Sequence, residues 1–359
     1  MTGKDMTSMI EQILEQAVKM NASDIFMISG MPVSIKINGT IQHLNEEKIY
    51  PDTLDNYIKE IYHLSHERSM EQILTHGDDD FSFSIPGLSR FRVSVLKQRG
   101  SLGAVIRIVH FTLPNPNDIY IPDSVMNIAN MRKGFVLITG AAGNGKSTTL
   151  ACIIDRINNT RNAHVITLED PIEYLHRHNK SIVTQREIGQ DTDSYVDGLR
   201  ACLRQAPDVI LLGEMRDYET IRTAITAAET GHLVISTLHT TGASDTIDRI
   251  IDVFPPDAQQ QIRVQLAMVL QMIVSQQLVP STDGRLIPAF EIMPVTDAVR
   301  TMIRESKSHQ ISNVIATGST DGMISMNNSL QELQRKGLIT EEIRKKYSII
   351  SQQPMTFHL

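Results

Sequence analysis

The chain has 359 residues, 41% of them hydrophobic and 21% charged, which predicts two to three soluble globular domains with cores of ordinary size. No stretch reaches 18 uninterrupted apolar residues, and the opening MTGKDMTSMIEQIL lacks the apolar core of a secretory signal, so neither a spanning helix nor export is expected. A net charge of −7 gives no general attraction to nucleic acid or anionic lipid, and two cysteines are too few for a disulfide framework or a four-thiolate zinc site. Cys152 and Cys202 sit in helix-like segments and read as core, in a reduced, cytoplasmic protein.

Residues 1–110 read as a small α/β domain rich in antiparallel strand signals. In VSIKINGTIQHL, Val33, Ile35 and Ile37 alternate with polar residues up to Asn38-Gly39, a two-residue hairpin turn. A helix follows, with Leu54, Ile58, Ile61 and Leu64 at three- and four-residue spacing. FSFSIPGLSRFRVSV makes a second hairpin, with Phe81, Phe83 and Ile85 on one limb and Phe91, Val93 and Val95 on the other; GAVIRIV makes one more strand. Between Leu88 and His110 there is no acidic residue, but there are Arg90, Arg92, Lys97, Arg99 and Arg107. Strand parity puts Arg90 and Arg92 opposite Phe91 and Val93, and Arg107 opposite Ile106 and Ile108. Such a stripe suits a phosphate-facing surface; a merely solvated strand face has the same pattern.

Residues 111–122, FTLPNPNDIYIP, carry three prolines and read as an interdomain linker. In residues 123–359, GFVLITG, HVITLED, DVILLGE and HLVISTLH are short apolar runs separated by helical segments, the pattern of a buried parallel sheet. From about Pro255 onward the pattern turns mostly helical. IRVQLAMVLQMIVSQQLV is interrupted by Gln265, Gln271 and Ser275 and is expected as a buried helix; SQQPMTFHL is expected as a loose tail.

The strongest signal is ITGAAGNGKSTTL. Gly140, Gly143, Gly145, Lys146 and Ser147 satisfy the pattern G-x-x-x-x-G-K-[ST], with an apolar strand before it and a helix after it. The glycines let backbone N–H groups converge on phosphate oxygens at a positive helix N-terminus. The segment Gly140, Ala141, Ala142, Gly143, Asn144, Gly145, Lys146, Ser147 and Thr148 is thus the expected ATP cradle. Lys146 would reach the β/γ-phosphates, and Ser147 would ligate Mg²⁺. DVILLGE ends in Glu214, where generic nucleotide hydrolases often carry an aspartate one residue earlier, here Gly213; Glu214 is then a natural Mg²⁺ ligand, directly or through water. TLEDPIEY supplies Glu169, Asp170 and Glu173 at another strand end. Any of these carboxylates could instead be a helix cap or a surface acid.

With ITLEDPIEY, QREIGQDTDSY, LRQAPDVILLGEMRDYETI, TAAETGHLVISTLHTTGASDTIDRIIDVFP and DAVRTMIRE in the same order, the chain resembles the type IV pilus and type II secretion ATPases, and within them the retraction motors. The resemblance covers nearly the whole length. It implies an N-terminal PAS-like domain and a RecA-like ATPase domain, assembled as a homohexamer that binds ATP and Mg²⁺ and acts on an inner-membrane pilus platform protein. It implies Glu173 as the carboxylate that activates water and Glu214 as the acid serving magnesium. Arg92 and Arg107 would reach a neighbouring subunit's ATP, with the linker as hinge. His232 and His239 would sense the nucleotide. If LVISTL between them is extended, the two rings lie about 20 Å apart and cannot share an ion; two hydrogen-bonded histidines capping a strand is the plainer alternative.

Extension ATPases of this family usually carry a further N-terminal domain and a four-cysteine zinc motif, neither of which is seen here. AVRTMIRE resembles the retraction signature AIRNLIRE but departs mildly at Val299 and more at Thr301 and Met302, which leave room for an accessory retraction ATPase working beside paralogues; an amphipathic helix packed on its own domain is the plainer alternative. A nucleic-acid translocase would want a basic channel with stacking aromatics, and this acidic chain has no tryptophan and 5% aromatic residues, so no nucleic-acid partner is expected.

Overall fold

Residues 8–37, 39–109 and 113–348 are described by the computed structural model, and they fall into two units: one running up to Thr112 and including Glu173–Leu175, the other comprising Leu113–Ile172 and everything from His176 onward. Asn38 of the first predicted turn, His110 and the carboxyl-terminal tail lie outside the described residues.

In the first unit the order is α1 (Met9–Lys19), β1 (Asp24–Ile28), β2 (Pro32–Ile37), β3 (Thr40–Lys48), α2 (Pro51–Leu64), α3 (Glu71–His76), β4 (Asp78–Ile85), β5 (Ser89–Gln98) and β6 (Ser101–Val109). Ser8 and Glu11 form a reciprocal cap that starts α1, each side chain taking the other's backbone N–H. The six strands pair antiparallel in the order β3-β2-β1-β6-β5-β4. One face is apolar: Phe91, Val93, Val95 and Ile106 are fully buried in a core shared with Ile10 and Leu14 of α1 and Leu54, Ile58 and Ile61 of α2. Because side chains alternate along a strand, Arg90, Arg92 and Arg107 come out on the other face, as parity predicts.

The second unit contains α4 (Asp123–Met126), β7 (Gly134–Thr139), α5 (Lys146–Thr160), β8 (His164–Glu169), β9 (Ile182–Glu187), α6 (Tyr195–Cys202), β10 (Val209–Leu212), α7 (Tyr218–Glu229), β11 (Leu233–Leu238), α8 (Ala243–Asp252), α9 (Pro256–Val269), β12 (Leu270–Pro280), β13 (Leu286–Pro294), α10 (Asp297–Arg304), α11 (Ile311–Thr317), α12 (Met326–Arg335) and α13 (Glu341–Tyr347). Its seven strands run β13-β12-β7-β11-β10-β8-β9, all pairs parallel except β12 with β13. Both faces are covered. Phe135 and Leu137 point into one core with α6 to α9, while Val136 and Ile138 point into another with α5. That is why these strands read as unbroken apolar runs.

The proline-bearing stretch is structured from Leu113 onward: backbone bonds such as Ile121 N to Pro116 O close a turn, and Ile121 is buried. Cys152 and Cys202 are buried and unpaired, and burial, with Asp155 adding to it, pushes the Cys152 thiol up to about 11.

One expectation fails. IRVQLAMVLQMIVSQQLV is not a single helix; α9 stops at Val269 and β12 begins at the next residue, pairing with β7 on one side and β13 on the other. The region after Pro255 therefore adds a hairpin to the sheet before it turns helical. β12 has a local reason to be strand, since Ile273 and Val274 are β-branched, but its deciding partners are remote in sequence. At its far end Gln277 Nε2 donates to the Tyr347 carbonyl of α13 at 3.2 Å. Among the described residues no helix is long and apolar enough to cross a membrane.

Candidate nucleotide site

β7 and β11 are parallel and in register, Thr139 opposite Leu238, so the loops that leave them open at the same edge of the sheet. The first is the phosphate loop. Gly140, Gly143 and Gly145 all take positive φ (142°, 79° and 77°), and Gly145 starts α5. A Cβ at Gly140 would lie 2.2 Å from the Gln276 carbonyl oxygen, so no other residue fits there without moving β12. The rim, Ala141 to Gly143, is exposed, as is Ser147 in the first turn of α5, while Lys146 is buried and its Nζ donates to the carbonyls of Gly140 at 2.6 Å and Ala141 at 2.9 Å.

β12 is the floor of this loop. Gln276, 3% exposed, accepts from Thr149 Oγ1 of α5 at 2.8 Å; the Asn144 side chain accepts from Leu278 N at 3.1 Å. One residue earlier, Ser275 Oγ accepts from Gly242 N at 2.9 Å, holding the loop that follows His239. None of these supports is visible in the sequence as a motif, because they come from a strand read as helix.

Glu214 lies just past β10, its side chain only 12% exposed, and it is ion-paired to Arg216. His239, just past β11, sets its Nε2 3.3 Å from Glu214 Oε2. The structure therefore joins one predicted histidine to the predicted magnesium acid. It also explains Gly213: a Cβ there would sit 2.9 Å from the Tyr195 hydroxyl, so the phenol occupies the space of the missing side chain. Burial first, then the Glu214, Asp170 and Glu169 carboxylates, hold that phenol well above its usual range. Tyr195 and Arg216 were not singled out by sequence; the glycine before Glu214 was the available hint.

His232 is elsewhere. It precedes β11 at the opposite edge, and its Nδ1, 2.9 Å from the Ala227 carbonyl, must donate, since a carbonyl only accepts. The two histidines are not brought together, in keeping with the expected separation. Glu173 is itself exposed, on the loop between β8 and β9 beside the buried Ile172, and among the described residues nothing pairs with it. In the first unit, Arg92 and Arg107 are Cα partners across β5 and β6; Arg107 Nε donates to Asp24 Oδ1 at 3.0 Å. Arg90 instead donates to Ser82 Oγ at 2.7 Å.

No group of three or more histidine, cysteine or acidic side chains suited to holding a metal occurs among the described residues. The donor set, the exposed Ser147 hydroxyl of the loop and the Glu214 carboxylate just past β10, fits instead a hard cation that keeps phosphate and water in its shell.

A glycine loop between a buried parallel strand and a helix, with an acid at the end of a strand nearby, defines a P-loop, RecA-like ATPase domain, which follows an N-terminal domain in the chain. The chain belongs to the Type II/IV secretion system protein family, whose model matches residues 3–347. It is 40% identical to the type IV pilus retractation ATPase PilT of Pseudomonas aeruginosa, over 93% of this chain and 96% of that protein. It is 36% identical to the type IV pilus ATPase PilU of the same organism, over 92% and 86%. The crystal structure of the pilus retraction motor PilT with bound ADP superposes with a TM-score of 0.86 at 42% identity, covering 97% of this chain and 98% of that one.

Proposed function

We propose that this protein is an ATP-hydrolysing subunit of a hexameric motor that drives retraction of a type IV pilus from the cytoplasmic side, by acting on a platform protein in the cytoplasmic membrane. The observation that carries it is the phosphate cradle with the Glu214–His239 pair at the same sheet edge, in a chain similar along its length to a retraction ATPase. In this reading the amides of Gly140 to Thr148 and the Lys146 ammonium hold the triphosphate, and Ser147 and Glu214 hold Mg²⁺, which would supply positive charge to the phosphates. Glu173 takes the proton of the attacking water. Arg92 and Arg107 of the adjoining subunit meet the charge that develops on the γ-phosphoryl oxygens. His239, already against Glu214, responds to the nucleotide's state, whereas the Ala227 bond makes His232 an anchor of the turn before β11.

The test is turnover by the purified full chain together with its mass in solution. Steady ATP hydrolysis by a six-subunit particle, unaffected by single-stranded DNA, is expected; a particle that stays monomeric at every concentration while hydrolysing at full rate removes the reading. Deleting the gene should leave cells with surface filaments that do not withdraw, and bald cells would reverse the direction of force.

A second reading, an accessory retraction ATPase, rests on the departures at Thr301 and Met302 in α10. Val299 and Ile303 of the departing signature are buried, and Arg300 donates to a carbonyl at the end of α9, so the helix packs against its own domain. Thr301 and Met302 are partly exposed, and Met302 packs against the core of the second unit. An accessory motor would leave retraction intact when deleted alone and reduce it only under load.

A further inference from the structure

Three neighbouring strands of the first unit set three charged residues in one row. Asp24 of β1 is the Cα partner of Arg107 of β6, which is the partner of Arg92 of β5. Two like charges directly opposite each other weaken an antiparallel pair, so a side-by-side arginine couple is not there for stability. Only one of the two is held. Asp24 is 7% exposed, and its two oxygens are both engaged, Oδ1 with Arg107 Nε at 3.0 Å and Oδ2 with Ser23 Oγ at 2.8 Å. Among the described residues Arg92 has no hydrogen-bond or ion-pair partner. The row borders a depression of about 280 Å³ lined by Asp24, Asp80, Arg92, Ser94, Val105 and Arg107.

The engaged atom matters. A guanidinium has one Nε–H and four terminal N–H donors in a rigid plane. Nε is given to a buried carboxylate that also accepts from Ser23, so one edge of the Arg107 guanidinium is tethered while its side chain remains 66% exposed. The terminal nitrogens keep donors for an incoming anion, in the fork geometry that suits a phosphoryl group. A lysine carries its three donors on one rotatable nitrogen and has no rigid plane to orient.

We propose that Asp24 is the positioning residue for Arg107: it fixes the Nε edge so that the terminal edge, beside Arg92, is presented to the phosphates of a bound nucleotide. This rests on the reading that Arg107 serves an adjoining subunit's triphosphate. The opposite relation, Asp24 competing with phosphate for Arg107, predicts the opposite sign, so the experiment decides between them.

The experiment is ATPase turnover of the assembled full-length chain, with assembly checked by mass. Arg107→Ala is expected to lose about 10³-fold in kcat. Asp24→Ala is expected to lose about 10- to 100-fold in kcat, as misplaced groups do, with the KM for ATP unchanged. Asp24→Asn, which keeps an acceptor, falls between Asp24→Ala and the unaltered protein. Adding Asp24→Ala to Arg107→Ala should cost nothing further, because the carboxylate acts only through that arginine. Slow Arg107→Ala beside Asp24→Ala at normal or raised kcat overturns the positioning role alone; normal turnover in Arg107→Ala overturns the underlying reading with it. Should Asp24→Ala fail to fold, Asp24→Asn and Ser23→Ala carry the test, and full rates in both overturn it.

Discussion

The phosphate loop of the second unit is supported from within that unit, whereas the arginine row of the first is only half satisfied. Around the loop, Gln276, Leu278 and Thr149 each find a partner, and even the carbonyls of Gly140 and Ala141 take the Lys146 ammonium. Across the first unit's sheet, Arg107 has Asp24, and Arg92 is paired with no described residue. A cradle that must keep its shape through every cycle is built rigid. On the proposed reading, the arginine that meets a charge brought from outside is tethered at one point and left open at the rest.

The contrast is open to attack, from the strongest effect downward. Lys146→Ala removes the ammonium at the cradle and should lower turnover about 10³-fold or more in a steady-state assay, with the ring still formed. Rings mixed from Arg107→Ala and Lys146→Ala subunits come next. Each variant alone should be nearly inactive, while mixtures should regain part of the rate at interfaces that pair an intact loop with an intact arginine; no recovery at any ratio means the arginine works within its own chain. His239→Ala should cost about 10- to 100-fold in kcat, as the loss of a group that orients a metal-serving carboxylate does, here Glu214. His232→Ala should leave kcat alone and lower stability by about 0.5–1.5 kcal/mol, the worth of a lost side-chain hydrogen bond, read as a drop in Tm. Smallest for the chemistry is Gln276→Ala. It strands the Thr149 hydroxyl in the interior and should cost about 1–3 kcal/mol of stability, measured by denaturant titration, and raise the KM for ATP before it touches kcat.

Much of this arrangement could be read from the chain because its cause is local. The glycine spacing of the phosphate loop follows from backbone angles that other residues avoid. The apolar runs at β7, β8, β10 and β11 follow from burial on both faces. Parity alone placed Arg92 and Arg107 on one side of their sheet. What escaped reading has remote causes. Nothing between Val269 and Leu270 breaks the apolar pattern, so the change from α9 to β12 depends on β7, more than a hundred residues earlier. Asp24 and Arg107 are 83 positions apart and meet only when β1 pairs with β6. The phenol of Tyr195 over Gly213 is likewise a packing fact, which a glycine at that point hints at but does not name.

Three successive side chains of β12 serve three different elements. Ser275 holds the loop beyond His239, Gln276 holds the helix behind the phosphates, and Gln277 reaches the last described helix. A rigid strand cannot shift one of these without disturbing the other two. The floor of the phosphate loop and the last described helix are thus fastened to one strand, through side chains that are neighbours in the chain.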